Sequence, residues 1–461
     1  MTPSGQLTTR ECAAFLISML GVQLASELFA QWGTYFYSPT EGTGRLVYVP
    51  IALVAVIFVS GRVFDIITDP LIGAWSDRAS GQRRWRFVPG GRRLPFIFWG
   101  SVLMTFTGIA FWYPPVAGTS SANLIYGTLV MSAHWGFYTL AYIPLLALAP
   151  EIARTEAERV RLGTWIGVGM ILGLVIAAIA PGELISLLDP ARAAGEPGTF
   201  SAAGYQRVAI LFAFVSLLSF QWLVWNVRER PREVDDTPAV PIAKDLYFSL
   251  RSRPFRLYLV MFFCFYAGML ANQRALPYWA ELALGGDEGT VSMLGIPFAL
   301  TSLIAAFATS RVIRWLSLQG AMALAIGLMT LALPLSYPVA IAPLSPDLKF
   351  AAAALLYACT GAGLGIMYVV TTPVIGAIID HAAAEFGQRK EAAFNAMSAV
   401  VIKAAQVLGI GIAVQTMAIF GNSAAQPLGV FLVGPVSGVM ACIGLVIAIA
   451  LFRVPRAPED R

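Results

Sequence analysis

Long runs of apolar residues, separated by shorter polar segments, recur along the whole chain. Most of the runs reach the ~20 residues that an α-helix needs to cross the hydrocarbon core of a bilayer. Segments of ~10 residues with alternating polarity, which are typical of transmembrane β-barrels, are absent from the sequence. The pattern therefore predicts an all-α integral membrane protein with twelve transmembrane helices, near residues 12–37, 47–69, 94–113, 122–149, 162–180, 206–226, 255–283, 290–310, 317–341, 349–379, 392–420 and 428–452.

The longest polar segment lies at residues 227–254 and is rich in proline and in charges of both signs. Six of the predicted helices precede it and six follow it. The sequence therefore predicts three parts: an N-terminal six-helix bundle over residues 1–226, a cytoplasmic linker over residues 227–254, and a C-terminal six-helix bundle over residues 255–461.

The composition agrees with a membrane protein. Of the 461 residues, 57% are hydrophobic and 12% are charged, whereas a soluble protein has about 25% charged residues. The basic residues concentrate in alternate loops, which the positive-inside rule assigns to the cytoplasm together with both termini. We therefore expect a multi-pass protein of a cell membrane, in a bacterium the inner membrane. The formal net charge of +5 is explained by these loops, so no nucleic-acid partner is predicted.

Two carboxylates lie within the second apolar run. Asp65 and Asp69 are four residues apart and therefore share one face of a helix. At ~5.5 Å and an effective dielectric constant of about 20, their repulsion is roughly 3 kcal/mol. Core packing does not require such a pair, and a bound cation or a captured proton would relieve the repulsion. This pair is the first candidate for a functional site.

A motif rich in glycine and arginine follows the second predicted helix, in the loop before the third. Its residues are Gly73, Asp77, Arg78, Gly81, Arg83 and Arg84. The motif resembles the loop signature of the major facilitator superfamily. The resemblance predicts a conformational lock formed by Asp77, Arg78 and Arg84, in which Asp77 pairs with an arginine or caps a neighbouring helix. A basic loop that only fixes the topology is the alternative.

Further motifs in both halves make the resemblance more specific. They are Gly61-Arg62-x-x-Asp65-x-x-x-Asp69-Pro70, Tyr138-Thr139-x-x-Tyr142-Ile143-Pro144, Glu158-Arg159-x-Arg161, Ile379-Asp380, Gly387-Gln388-Arg389-Lys390 and Lys403. Together they resemble the glycoside–pentoside–hexuronide cation symporters, which are the melibiose permease family of the major facilitator superfamily. The resemblance implies the major facilitator fold and covers nearly the whole chain.

The resemblance also implies site residues. Asp65 and Asp69 match the two cation-binding carboxylates of the family, Thr139 matches a hydroxyl ligand of the same cation, and Thr68 takes the position of a polar neighbour. Lys403 matches the lysine that couples the cation to the substrate. Carboxylate and hydroxyl oxygens are the ligands that hard cations prefer. The alternative is a purely structural ion-pair network that includes Arg62.

The sugar-binding half of the family motif is changed in this chain. Gln23 and Tyr142 stand where sugar-binding members have aspartates, and Leu146 stands where they have a tryptophan. These neutral groups predict a different glycoside, or an amphiphile such as a lysolipid. Glu27 and Arg274 are further substrate-binding candidates. They could instead pair with each other, or Arg274 could pair with Glu281 at a gate.

Several other residues invite functional interpretations that the sequence does not favour. Trp32, Tyr35 and Tyr37 end the first helix and are interpreted as an interfacial aromatic belt. His134 has no second histidine nearby, since His381 is expected in a loop, so no metal site is predicted. The four cysteines, at positions 12, 264, 359 and 442, contain no CxxC pair and are interpreted as small core residues.

These features predict a secondary transporter rather than an enzyme. No nucleotide-binding motif and no catalytic cluster are present in the sequence, and no cofactor is expected. The expected activity is symport of a carbohydrate-like solute with sodium by alternating access, with protons as the alternative coupling ion. The expected partners are a small-molecule substrate and membrane lipid, and the expected state is a monomer.

Overall fold

The computed structural model describes residues 7–79, 90–193, 201–230, 242–388 and 390–455, and helices form nearly all of the regular structure there. The chain divides into two compact units, Met1–Asp235 and Asp236–Arg461. The boundary between the units lies inside the segment that the sequence predicts to be a linker.

In its described residues, the first unit contains six long helices. Helix α1 is Thr9–Leu28, and it continues through one π-helical turn, Phe29–Gly33, into Thr34–Tyr37. The others are α2 (Ile51–Arg78), α3 (Leu94–Ala110), α4 (Ser121–Ile152), α5 (Glu156–Leu188) and α6 (Ala202–Asn226). Helix α1 packs against α5 and α6, and α4 packs against α2 and α3.

Among the described residues, the second unit begins with a linker helix, Ile242–Ser249, which packs against the long helix Glu391–Phe420, and it contains four other long helices. In chain order the long helices are α7 (Arg253–Leu284), α8 (Glu288–Ile341), α9 (Pro346–Phe386), α10 (Glu391–Phe420) and α11 (Leu428–Val446), the last followed by a π-helical turn, Ile447–Leu451. Helix α8 packs against α9 and α11, and α7 packs against α10 and α11.

Among the described residues, ten helices are long and apolar enough to cross a membrane, and α3 is a shorter apolar helix. The 54-residue helix α8 is interrupted at Ser317, whose backbone has φ 68° and ψ 170°. This conformation is strained for a residue other than glycine. The Ser317 hydroxyl accepts a hydrogen bond from the Gly320 amide (3.3 Å) and so caps the helical segment that follows.

Several helices are longer than the sequence predicts. Helix α2 passes through Pro70 and ends at Arg78 rather than near residue 69, so Asp77 and Arg78 lie in its last turn and not in a loop. Membrane helices tolerate proline because neighbouring groups can satisfy the freed carbonyl. Helix α5 begins at Glu156, where the Thr155 hydroxyl and the Glu158 carboxylate form a capping box.

One further helix boundary and the exposure of two cysteines correct the sequence prediction. Helix α9 extends to Phe386, so Asp380 and His381 are helical and not in a loop. The helix ends at Gly387, whose φ of 70° suits glycine. Cys442 is exposed and Cys359 half-buried, so only Cys12 and Cys264 are the core residues that were predicted.

Close helix packing in the first unit depends on glycine. A Cβ atom on Gly100 of α3 would lie 2.6 Å from the Ala141 backbone nitrogen of α4, and a Cβ on Gly61 of α2 would lie 2.6 Å from the Trp135 ring of α4. Such small residues allow membrane helices to approach each other closely. Helices α2 and α4 are therefore held face to face at the height of the aspartates.

The aromatic residues that end helix α1 are buried, which makes the interfacial-belt interpretation wrong. The exposed fractions of Trp32, Tyr35 and Tyr37 are 1%, 2% and 0%. The Tyr37 hydroxyl donates to the Phe111 carbonyl oxygen at 2.9 Å, and the Trp32 and Tyr205 ring centroids are 6.0 Å apart. These side chains fill the interior of the bundle because the neighbouring helices supply aromatic partners.

Asn123 organises the segment between α3 and α4. It is fully buried, its side-chain amide donates to the carbonyls of Val116 (2.9 Å) and Gly118 (2.8 Å), and its Oδ1 accepts from the Val116 amide (3.0 Å).

We expect Asn123→Ala to destabilise the protein by about 2 kcal/mol because it leaves buried backbone groups unsatisfied. Thermal denaturation of the purified protein measures the effect. The control Asn395→Ala, at an exposed position, should leave the midpoint unchanged, and an equal effect of both would contradict the prediction.

Candidate functional site

Helices α2 and α4 bring three oxygen atoms together. The Thr139 hydroxyl of α4 lies 2.5 Å from Oδ1 of Asp65 and 3.2 Å from Oδ1 of Asp69. Asp65 is 2% exposed and Thr139 is 1% exposed, whereas Asp69 is half-buried. A single hydroxyl can donate one hydrogen bond, so it serves one of the two carboxylates at a time and neutralises neither of them. The arrangement presents converging oxygen ligands.

The second carboxylate oxygen of Asp65 faces a positive charge. Arg62 Nη1 lies 3.5 Å from Asp65 Oδ2, one helical turn away on α2. The Arg62 guanidinium carbon also lies 3.5 Å from the centroid of the Trp135 ring of α4, which is a cation–π contact. The sequence analysis did not identify Trp135. Its only sequence signal is Gly61, which leaves room for the indole.

Two tyrosines of α4 continue this surface. The ring centroids of Tyr138 and Tyr142 are 5.2 Å apart. Tyr142 is near enough to Asp65 and Asp69 to be affected by both charges, and Tyr138 is near enough to Asp65 and Arg62. The predicted substrate residue Tyr142 is therefore within electrostatic range of both carboxylates.

The other predicted residues of the first unit have different surroundings. The Thr68 hydroxyl donates to backbone carbonyls of its own helix, those of Phe64 (3.0 Å) and Asp65 (3.3 Å). Gln23 on α1 is buried, Glu27 is half-buried, and Leu146 on α4 is 41% exposed. The Thr68 hydroxyl thus bonds to backbone carbonyl oxygens, whereas the Thr139 hydroxyl faces the side chains of Asp65 and Asp69.

Two predicted residues belong to the second unit. Arg274 on α7 is 7% exposed, and Lys403 on α10 is half-buried. Near Arg274, the Asn272 side-chain amide lies 3.4 Å from the Tyr357 hydroxyl of α9. The substrate role of Arg274 and the coupling role of Lys403 stay predictions.

Asp77 takes part in an ion-pair network at one end of the first unit. Arg93 Nη2 lies 2.8 Å from Asp77 Oδ1 and 2.9 Å from Glu151 Oε1, and Arg92 also pairs with Glu151. The arginine partner of Asp77 is thus Arg93, which the motif did not identify. Arg78 is exposed and lies outside this network, because consecutive helical residues point about 100° apart. Arg84 lies outside the described residues.

Glu229 joins the same network through the backbone. Its carboxylate accepts hydrogen bonds from the amides of Arg92 (2.5 Å), Arg93 (2.6 Å) and Leu94 (2.7 Å). These amides form the N-terminus of α3, where a negative charge is favourable. The chain after α6 is therefore tied to the ends of α2, α3 and α4.

We expect Arg93→Gln to lower the free energy of unfolding by about 2 kcal/mol, less than the full cost of breaking a buried ion pair, because Arg92 still pairs with Glu151. Thermal denaturation in detergent provides the measurement. The matched variant Arg78→Gln removes an exposed arginine one residue from Asp77 and should have little effect. A larger loss with Arg78→Gln than with Arg93→Gln would contradict this assignment of the network.

The side chains that could chelate a metal ion, His134 among them, are distributed through the helices. Within the described ranges, no group of three or more histidine, cysteine, aspartate or glutamate residues is arranged to hold a metal ion. The ring Nδ1 of His134 lies 3.3 Å from the Met104 carbonyl oxygen, and the imidazole packs on Phe29 with 4.5 Å between ring centroids. His134 is thus part of the bundle interior.

Comparison with known proteins identifies the class of this apolar, multi-helix chain. It is a multi-pass membrane transporter of the major facilitator superfamily and not an enzyme. The chain belongs to the family described as MFS/sugar transport protein, which matches residues 14–454. This confirms the resemblance to the glycoside–pentoside–hexuronide symporters.

Individual relatives are distant in sequence. An uncharacterized symporter of Synechocystis sp. is 23% identical, with 87% of each chain covered. The isoprimeverose transporter of Lactiplantibacillus pentosus is 21% identical over 64% of this chain and 57% of its own length. Among solved structures, a bacterial homologue of the iron transporter ferroportin, in an inward-facing state, has a TM-score of 0.66 at 14% identity, covering 96% of this chain and 99% of its own. That likeness concerns the fold alone.

Proposed function

We propose that this protein is a sodium-coupled symporter of a carbohydrate-like solute and that it works by alternating access. The observation that carries the proposal is the position of the Thr139 hydroxyl, which lies within hydrogen-bond distance of both Asp65 Oδ1 and Asp69 Oδ1. Two carboxylates and a hydroxyl form an oxygen ligand set for a hard monovalent cation. Ionisable residues in membrane spans are costly unless paired, and they usually serve transport.

Sodium is favoured over a proton because the hydroxyl adds an oxygen ligand that proton binding does not need. Thr139 is nearly inaccessible and lies on a different helix from the aspartates, so the site joins α2 to α4. A cation bound there would screen the repulsion between the carboxylates and hold the two helices together. A proton shared by the aspartates is the alternative, and the measurements below distinguish the two ions.

The proposed architecture has twelve transmembrane helices in two bundles of six, with both termini in the cytoplasm. Counting the two halves of α8 as separate spans and including α3 gives twelve. In this superfamily the substrate site lies near the middle of the membrane at the interface of the repeats. Cytoplasmic termini follow from the arginine-rich loops.

The proposed substrate is a neutral or weakly polar glycoside. Tyr142 is within electrostatic range of the carboxylates and offers a phenolic hydroxyl, while Gln23 offers an amide and Leu146 an apolar side chain. Aromatic rings and neutral hydrogen-bonding groups suit a sugar ring. The named sugar-transporting relative, the isoprimeverose transporter, supports this choice. Glu27, Arg274 and Lys403 keep their predicted substrate and coupling roles in the proposal.

We expect Asp65→Asn, Asp69→Asn and Thr139→Ala to weaken sodium binding, the two aspartate variants by at least about 100-fold and Thr139→Ala by about tenfold, since each removes one oxygen ligand or its charge. Sodium binding is measured on purified protein by isothermal titration calorimetry and by sodium-dependent thermal stabilisation. Asp347→Asn, at an exposed position in the first turn of α9, is the control with unchanged affinity.

Transport in proteoliposomes tests the coupling. A panel of glycosides, uronides and lysolipids is assayed for uptake with sodium, and with choline in place of sodium. Uptake of a glycoside that is stimulated by sodium supports the proposal. Uptake driven equally well by a proton gradient without sodium would assign the site to protons, and uptake of lysolipids alone would replace the substrate class.

A further inference from the structure

The Asp65 carboxylate divides its two oxygens between different partners. Oδ1 faces the Thr139 hydroxyl at 2.5 Å, and Oδ2 faces Arg62 Nη1 at 3.5 Å. The side chains of Arg62 and Asp65 are only 13% and 3% exposed, so water screens their attraction weakly. A permanent positive charge thus already lies against the group that would bind the transported cation.

The position of that charge depends on an aromatic ring on the facing helix. The Arg62 guanidinium carbon lies 3.5 Å from the centroid of the Trp135 ring, and Trp135 is 3% exposed. Two neighbours fix the ring edge-on: His134, at 5.6 Å between centroids, and Tyr138, at 5.1 Å. Stacking on a buried indole favours one guanidinium position among the many that a long side chain can adopt.

Two other polar side chains on different helices, a carboxylate and a neutral phenol, also act on the guanidinium. Glu27 on α1 and Tyr138 on α4 are close enough to act on Arg62 electrostatically. The position of the guanidinium against Asp65 is therefore a balance between the attraction of Asp65 and that of Glu27. The Trp135 ring shifts that balance because it holds the guanidinium within reach of Asp65 Oδ2.

We propose that Arg62 is a resident cation that competes with the transported cation for the charge of Asp65, and that Trp135 is the positioning residue that sets the strength of this competition. The inference rests on the proposed cation site. The resident charge reduces the excess negative charge of the empty site, which would otherwise be costly in the membrane. The consequence is a lower sodium affinity than the oxygen ligands alone would give.

If Arg62 competes with sodium, removing its charge or the Trp135 ring raises the sodium affinity. A substitution that merely damages the site would lower that affinity. We expect Arg62→Gln to bind sodium about tenfold more tightly, because an amide can still hydrogen-bond to Asp65 but carries no charge. Trp135→Leu should bind sodium about threefold more tightly, because the guanidinium loses its platform. Trp135→Phe keeps an aromatic face and should stay close to the wild type.

A double-mutant cycle isolates the positioning role. In an Arg62→Gln background, Trp135→Leu should have no further effect on sodium affinity, since no guanidinium remains to be positioned. Titration calorimetry with sodium chloride at alkaline pH gives the four affinities. Trp165→Leu is the matched control, because it truncates a half-buried tryptophan of α5 in the same unit, and its sodium affinity should equal that of the wild type.

A second measurement needs no bound cation. In sodium-free choline buffer, Arg62→Gln should have a lower thermal denaturation midpoint than the wild type, because the carboxylates lose their resident counter-charge. Added sodium should then raise its midpoint by more than it raises that of the wild type. An Arg62→Gln midpoint equal to that of the wild type in choline would overturn the idea of a resident cation.

The outcomes separate this inference from the proposed function. Wild-type protein that binds neither sodium nor lithium would overturn both. Wild-type binding together with weaker binding by Arg62→Gln would overturn the competition alone and leave the cation site intact. Wild-type binding with equal losses from Trp135→Leu in both backgrounds would reduce Trp135 to a packing residue.

Discussion

Buried negative charge is the constraint on which the first unit depends. Asp65 has almost no exposed surface, yet it lies beside a second carboxylate, so the surrounding helices must supply compensation. Thr139 supplies a hydrogen bond and Arg62 supplies a charge, each to a different oxygen of the carboxylate. Gly61 and Trp135 make this geometry possible because a small residue on α2 admits the indole from α4. Packing and electrostatics are thus coupled at one place.

The helices that carry this site also carry the ion-pair network. On α2, Asp69 and Asp77 are eight residues apart, which corresponds to ~12 Å along a helix axis. Glu151 lies in the last turn of α4, well beyond Thr139 on the same helix. A change in the separation of α2 and α4 at the aspartates would therefore also affect Asp77 and Glu151, which lie further along the same two helices, and their partner Arg93. The network is a candidate for the lock because it shares its supporting helices with the proposed cation site.

The errors of the sequence analysis have physical causes. The second helix was predicted to end near residue 69, directly before Pro70, but α2 continues through this proline, so its last turn was taken for a loop. Trp32, Tyr35 and Tyr37 were assigned to a membrane interface because aromatic residues near a helix end commonly lie there. Lipid and protein interior are both apolar, so hydropathy does not distinguish a side chain that faces lipid from one that packs against Tyr205 or Phe111.

The class of protein, the approximate position of most helices and the chemistry of the candidate site could all be predicted from the order of the residues. Long apolar runs can satisfy their backbone hydrogen bonds in a bilayer only as helices, and a spacing of four residues puts Asp65 and Asp69 on one helix face. The partners of the charged side chains became known only from the packing of the helices. Thr139 lies 74 residues from Asp65 in sequence, and Trp135 and Arg93 became recognisable only when another helix placed them against a charge. Contacts between helices depend on which faces meet, and local periodicity does not encode that choice.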